Sequence, residues 1–188
     1  MLCHSLDVKI YIRYDSQMPD DHVDALLEQW GRERPDIDLS GMAIIGRISR
    51  LERMIRPRLD KVFARHGLES WEFDVLATLR RSGKPHQLSA GQLLQSMMIA
   101  SGTVTNRIDQ LEARGLVERV RDPSDGRRVL VKLSRAGLTK INAAIVDHSA
   151  NEARLVAHLG PTDKAKLAVL LRNLHTAIVA ADQASEPT

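Results

Sequence analysis

The sequence predicts a mainly α-helical fold that carries one small β-hairpin. Apolar residues recur at helical spacing through most of the 188 residues. Two short runs instead alternate apolar and polar residues on either side of the turn-forming segment 122–126. Only six residues are aromatic, so aliphatic side chains must form most of the core.

The first eighteen residues show no clear period, and we expect residues 1–19 to form a flexible N-terminus. Met18 opens the better-ordered pattern and is a candidate translation start. Nothing in this stretch resembles a signal peptide. Cys3 is the only cysteine, so a redox switch would need an intermolecular bond.

Two N-terminal helices are predicted over residues 20–66. Residues 20–32 place Val23, Leu27 and Trp30 on one helical face before Pro35. A long helix follows over residues 40–66, with Pro57 expected to kink it.

Residues 67–134 are predicted to form a winged helix-turn-helix domain. Gly67 marks a helix stop, and Ser70 is expected to cap the next helix, which ends at residues 82–83. A short helix over residues 90–97 precedes one that begins after residue 102 and ends at Gly115.

The last two of these helices form a helix-turn-helix pattern. Val104, Ile108 and Leu111 are predicted to face inward on its second helix. Residues 116–120 and 129–133 are predicted to form the strands of a β-wing, so the fold class is a winged helix-turn-helix.

Two C-terminal helices complete the predicted fold, over residues 135–159 and from residue 161 to about 178. Their apolar faces exceed what so small a domain can cover, which predicts that residues 135–180 dimerise. Residues 181–188 are expected to be a flexible tail.

Positive charge is clustered although the formal net charge is only +3. Residues 47–65 hold seven Arg and Lys against two acidic residues, and residues 101–135 hold eight against five. Clustered basic residues are typical of proteins that bind nucleic acid.

The run SGTVTNRIDQLEARGLVERVRDPSDGRRVLVKLS resembles the DNA-binding core of the MarR family. The resemblance extends from Ile44 onward and implies a homodimer that binds double-stranded, palindromic DNA. It places the second helix of the motif in the major groove and the wing tip in a minor groove, with Asp125 and Arg127 paired in the wing. The candidate DNA contacts are Ser101, Thr103, Thr105, Asn106, Gln110, Arg127 and Arg128.

The segment ALLEQWGRERPDIDLSGMAIIGRISRLER resembles the extra N-terminal part of the urate-responsive branch of that family. The resemblance implies that residues 20–66 serve dimerisation and effector binding. It also implies effector-binding and relay roles for Trp30, Asp74, Arg107 and Arg119. A flat anion such as urate or a small carboxylate would stack on Trp30 and be neutralised by Arg107. Two alternatives stay open: Trp30 as a packing anchor, and Asp74 with Arg119 as a structural ion pair.

Other functional classes have little support in the sequence. No histidine pair has zinc-site spacing and no catalytic or nucleotide-binding motif occurs, so we expect no enzyme activity and no cofactor, although a zinc site shared across a dimer stays open. No apolar run is long enough to span a membrane, and we expect a cytoplasmic, nucleoid-associated protein. The alternative to a ligand-responsive repressor is an effector-independent, architectural DNA-binding protein.

Overall fold

The computed structural model describes residues 20–97 and 104–185, which form helices and one three-stranded antiparallel sheet. This confirms the predicted fold class of a mainly α-helical chain with a small wing. The elements in order are α1 (His22–Glu33), α2 (Ser40–Arg65), α3 (Ser70–Arg81), β1 (Gln87–Ser89), α4 (Ala90–Met97), α5 (Val104–Ala113), β2 (Val117–Arg121), β3 (Val129–Leu133), α6 (Arg135–Leu155) and α7 (Pro161–Ser185).

The chain forms two compact units that divide between Arg58 and Leu59, so α2 belongs to both. In the first unit, Val23, Leu27 and Leu39 form a small apolar core. Helix α1 begins at His22 because Asp21 caps it: the Asp21 carboxylate accepts hydrogen bonds from the backbone N–H groups of Val23 (2.7 Å) and Asp24 (3.0 Å).

An ion-pair cluster fastens α2 to the start of α1 within the first unit. The guanidinium of Arg47 lies 3.0 Å from a carboxylate oxygen of Asp21 and 2.6 Å from one of Asp24. Gly46 lets the two helices approach closely, since a Cβ there would lie 3.3 Å from Val23.

The second unit has a larger core, to which α3 contributes most. Leu76 and Leu79 are fully buried, and the ring of Phe73 stacks on that of Phe63 with 4.2 Å between centroids. The predicted inward residues of the second motif helix, Val104, Ile108 and Leu111, are buried as expected. The core therefore holds α5 by its apolar face and leaves the opposite face exposed.

The sheet has the strand order β1-β3-β2 and contains one strand that the sequence did not predict. β1 is only three residues long and half-buried throughout, so it offers no alternating pattern to detect. β2 begins at Val117, one residue later than predicted. Leu116 still belongs to the turn after α5, because its backbone N–H donates to the carbonyl of Leu111.

Several helix ends differ from their predicted positions. Glu69, and not Ser70, is the N-cap of α3, and its backbone N–H donates to the carboxylate of Glu72 (2.9 Å). α2 is continuous through Pro57. α6 ends at Leu155, earlier than residue 159, whereas α7 continues past residue 181 to Ser185. No helix in the described ranges is long and apolar enough to cross a membrane.

Candidate DNA-binding and effector site

Helix α5 presents a polar, exposed face that suits contact with DNA bases and phosphates. Thr105, Asn106 and Gln110 are exposed on it, and the amide of Gln110 donates to that of Asn106 at 3.3 Å. Ser101 and Thr103, also predicted to contact DNA, lie outside the described residues. The exposed side chains supply both hydrogen-bond donors and acceptors, as reading of base edges requires.

An ion pair between a buried glutamate and an exposed arginine, which the sequence analysis missed, anchors the C-terminal end of α5. Glu72 is only 2% exposed, and its carboxylate bonds to the guanidinium of Arg114. Arg114 also donates to the backbone carbonyl of Gly67 (2.6 Å). One sequence signal could have revealed this ion pair: Glu72 is an acidic residue on the same face of α3 as Leu76 and Leu79.

The wing turn is organised by one aspartate that bonds to both wing arginines. The carboxylate of Asp125 lies 3.2 Å from Nε of Arg127 and 3.4 Å from Nε of Arg128. The side chain of Asp125 is mostly covered, whereas that of Arg127 is 92% exposed. The aspartate thus bonds to Nε of each guanidinium, while the two arginine side chains remain largely exposed.

A second aspartate shapes the entry to the same turn. The carboxylate of Asp122 accepts hydrogen bonds from the hydroxyl (2.7 Å) and the backbone N–H (2.8 Å) of Ser124. These bonds, the hydroxyl first, lower the pKa of Asp122 below its ordinary value. The turn therefore keeps this carboxylate ionised.

Arg119 on β2 bonds to two carboxylates of α5, those of Asp109 and Glu112. Its backbone N–H also donates to Glu112 at 3.1 Å. The hydrogen bond to Asp109, followed by that to Glu112, raises the pKa of the guanidinium. Arg119 therefore connects the wing directly to α5, the predicted DNA-recognition helix. Its partners there were not named in the sequence analysis.

The other predicted effector residues lie on three different helices. Arg107 is half-buried on α5, with its guanidinium carbon 5.5 Å from the ring centroid of Trp71 on α3. Asp74 is exposed on α3, and Trp30 belongs to the first unit, where its side chain is 44% exposed. The structure thus brings Arg107 to an aromatic ring, Trp71, that was not among the predicted site residues.

The described residues offer no metal site, and one surface depression lies apart from the predicted effector residues. Within the described residues, no group of three or more His, Cys, Asp and Glu side chains could hold a metal ion. A shallow, open depression of about 950 Å³ in the second unit is lined by Arg65, Arg135 and Lys140 among others. None of the predicted effector residues lines it.

A polar recognition helix held on a buried core, beside a wing with exposed arginines, defines a winged helix-turn-helix DNA-binding protein. Comparison with known proteins extends this class assignment. Residues 66–128 match the MarR family model.

The chain is 37% identical to the HTH-type transcriptional regulator PecS of Dickeya dadantii, over 84% of this chain and 95% of that protein. Its fold is similar to that of a MarR mutant from E. coli complexed with operator DNA, with a TM-score of 0.62, 24% identity, and coverage of 73% of this chain and 99% of that one. BpsR of Bordetella bronchiseptica, a protein whose DNA binding is regulated by 6-hydroxynicotinic acid, gives a TM-score of 0.56 at 26% identity, covering 68% and 92%.

The chain therefore belongs to the MarR family. It is a DNA-binding transcriptional regulator and not an enzyme, as the sequence predicted. Regulators of this family bind DNA as dimers and respond to small molecules. The similarity to PecS also agrees with the predicted resemblance to a branch with an additional N-terminal helix.

Proposed function

We propose that this protein is a homodimeric repressor that binds a pseudo-palindromic operator and leaves it when a small anion binds. The anion is urate or a small aromatic carboxylate. The protein acts in the cytoplasm, at the nucleoid, where its operator lies.

Helix α5 enters the major groove and the wing reaches the adjacent minor groove. Thr105, Asn106 and Gln110, together with Ser101 and Thr103, contact base edges and phosphates. Arg127 and Arg128 enter the minor groove, where the negative potential is strongest when the groove is narrow. The exposure of Arg127 above a covered Asp125 supports this role.

Dimerisation uses the apolar faces that a single chain leaves uncovered. On α6 and α7, Val146 and Leu170 are 66% and 65% exposed, and Leu171 and Ile178 are also exposed. A second copy of the chain would remove this surface from water. Two recognition helices would then read half-sites about one helical turn apart, roughly 34 Å.

The observation that carries the effector proposal concerns the bonding partners of the Arg107 guanidinium. Arg114 and Arg119 each bond to carboxylates, whereas Arg107 makes no hydrogen bond or ion pair with any residue in the described ranges. A guanidinium that has no bonded partner among the described residues can form charge-assisted hydrogen bonds to an anion. The regulation of BpsR by 6-hydroxynicotinic acid, an aromatic carboxylate, supports the same ligand class.

Signal relay would use Asp74 and Arg119. A bound anion disfavours the ionised form of a nearby carboxylate, so it would displace Asp74 if it binds beside it. Arg119 already bonds to α5, so a new carboxylate partner for Arg119 would loosen its bonds to Asp109 and Glu112. Such a change shifts the recognition helix only if the ligand prefers the shifted conformation.

A second candidate function is effector-independent DNA binding. The bonds from Arg119 to two carboxylates of α5 favour it, because they suffice as a structural brace between wing and helix. In that case Trp30 is a packing residue only.

The two functions are separated by binding to labelled DNA from upstream of the protein's own gene, titrated with urate, benzoate and 6-hydroxynicotinic acid. We expect one of these anions to release the wild-type protein. Arg107→Gln should need about tenfold or more ligand for half-release, because a charge-assisted hydrogen bond is lost.

Arg172→Gln is the matched control, since it removes the same charge from an exposed position on α7. It should respond as the wild type does. If every variant binds DNA and no anion changes the affinity, the effector-independent function stands.

A further inference from the structure

Trp71, at the start of α3, is held by a hydrogen bond to Glu69 and by packing against the core. Its indole Nε1–H donates to the carboxylate of Glu69 at 2.7 Å, and its ring is half-buried against the core. The guanidinium carbon of Arg107 lies 5.5 Å from the ring centroid, within the range of a cation–π contact. A ring held at one edge and packed on the core is thus a fixed platform for Arg107.

The kind of contact that Arg107 makes with Trp71 determines whether its guanidinium can still bind an anion. A carboxylate partner would neutralise the guanidinium and occupy its N–H donors, as Glu72 does for Arg114. An aromatic face attracts the cation without providing a negative charge or an oxygen acceptor. With respect to the described residues, Arg107 is therefore oriented while its charge and its hydrogen-bonding capacity remain available.

We propose that Trp71 is a positioning residue that holds Arg107 ready to bind the anionic effector. This inference rests on the proposed function and adds to it a residue on α3. The ligand class is a small aromatic anion. The guanidinium of Arg107 bonds to the negative group of the anion, and Trp71 fixes the orientation of that guanidinium. Because the contact joins α3 to α5, an anion that moves Arg107 also alters how the two helices meet.

The test measures benzoate and urate affinity by calorimetry for the wild type, Trp71→Phe, Trp71→Leu and Arg107→Lys. Trp71→Leu should weaken anion binding about two- to fivefold, the range expected for one cation–π contact. Trp71→Phe keeps an aromatic face and should retain most of the affinity.

A double-mutant cycle separates positioning from packing. Trp71→Leu should have a much smaller effect in the Arg107→Lys protein, because that protein has no planar guanidinium for the ring to orient. A ring that only packs the core would instead give the same loss in both backgrounds, or none at all. Either result would overturn the proposal.

Fluorescence reads the contact without any ligand. Trp30 and Trp71 are the only tryptophans, so Trp30→Phe leaves Trp71 as the sole reporter. Arg107→Gln in that background should change the Trp71 emission, whereas Arg172→Gln should not. An unchanged emission would also contradict the proposal.

Failure of this inference differs from failure of the proposed function. If an anion releases the protein from DNA but binds the wild type and Trp71→Leu with equal affinity, the repressor function stands. The proposed role of Trp71 is then contradicted. Absence of DNA release by any anion removes the effector function. If neither benzoate nor urate binds the wild-type protein, the proposed role of Trp71 is also contradicted.

Discussion

Gly137 shows how one residue decides whether two elements can meet. It lies in the first turn of α6, and a Cβ built there would be 1.9 Å from the carbonyl oxygen of Leu116. That oxygen also accepts the hydrogen bond from the backbone N–H of Ser134, so it has little freedom to move. Only glycine fits between α6 and the turn that precedes β2.

We therefore expect Gly137→Ala to lower the free energy of unfolding by about 1–3 kcal/mol or more, the cost of forcing atoms into a packed site. Urea denaturation measures the change. Gly31→Ala is the matched control because its Cβ would meet nothing within 4 Å in α1. It should leave stability unchanged or raise it by about 0.5–1 kcal/mol. Equal destabilisation by both variants would contradict the steric explanation.

Residue roles were harder to predict than residue positions. Arg119 and Asp125 were named from the sequence, but the bonds from Arg119 to Asp109 and Glu112 depend on how β2 lies against α5. Trp71 was missed because an aromatic residue near a helix start is usually read as core. Its contact with Arg107 spans 36 positions in sequence and leaves no local pattern.

At the scale of elements, α1 depends on charge as well as on its apolar stripe. The hydrogen bond from Arg47, followed by the bond from the backbone of Asp21, lowers the pKa of Asp24. A carboxyl whose pKa is lower in the folded state stabilises that state above its ordinary pKa. The stabilisation is lost as the pH falls through the folded-state value.

We expect acidification from pH 7 to below the ordinary carboxyl range to lower the melting temperature less in Asp24→Asn than in the wild type. The asparagine variant should already be less stable at pH 7. Asp20→Asn removes an exposed carboxyl outside the helix, and acidification should lower its melting temperature as much as that of the wild type. The same pH dependence in Asp24→Asn and the wild type would argue against the role of the Arg47 cluster.

Helices with a clear apolar stripe could be predicted to within a few residues, whereas their caps could not. Ser70 is the residue type most expected at an N-cap, yet Glu69 takes that position because Glu72 accepts its backbone N–H. Glycines were reliable signals of helix ends. Gly67 and Gly115 follow α2 and α5 in the left-handed backbone conformation, with φ of 61° and 67°. β1 is defined only by its pairing with β3, which a local pattern cannot contain.

For the whole molecule, the order of elements was enough to predict the winged helix, because a helix-turn-helix followed by a hairpin is a specific sequence of patterns. The binding surface follows from it: one face of α5 is buried and the other exposed. The uncovered apolar side chains of α6 and α7 could also be predicted as an excess of apolar surface, and we propose that a second chain covers them.

The central claim is that α5 and the wing bind DNA, and the salt dependence of operator affinity tests it most directly. The wild-type association constant should fall steeply with salt, and Arg127→Ala should reduce the slope of log K against log salt by about 0.9 if it removes one phosphate contact. Asn106→Ala should weaken operator binding by about 1–3 kcal/mol and leave non-specific binding unchanged. Affinity that is independent of salt, or variants that both bind as the wild type does, would contradict the account.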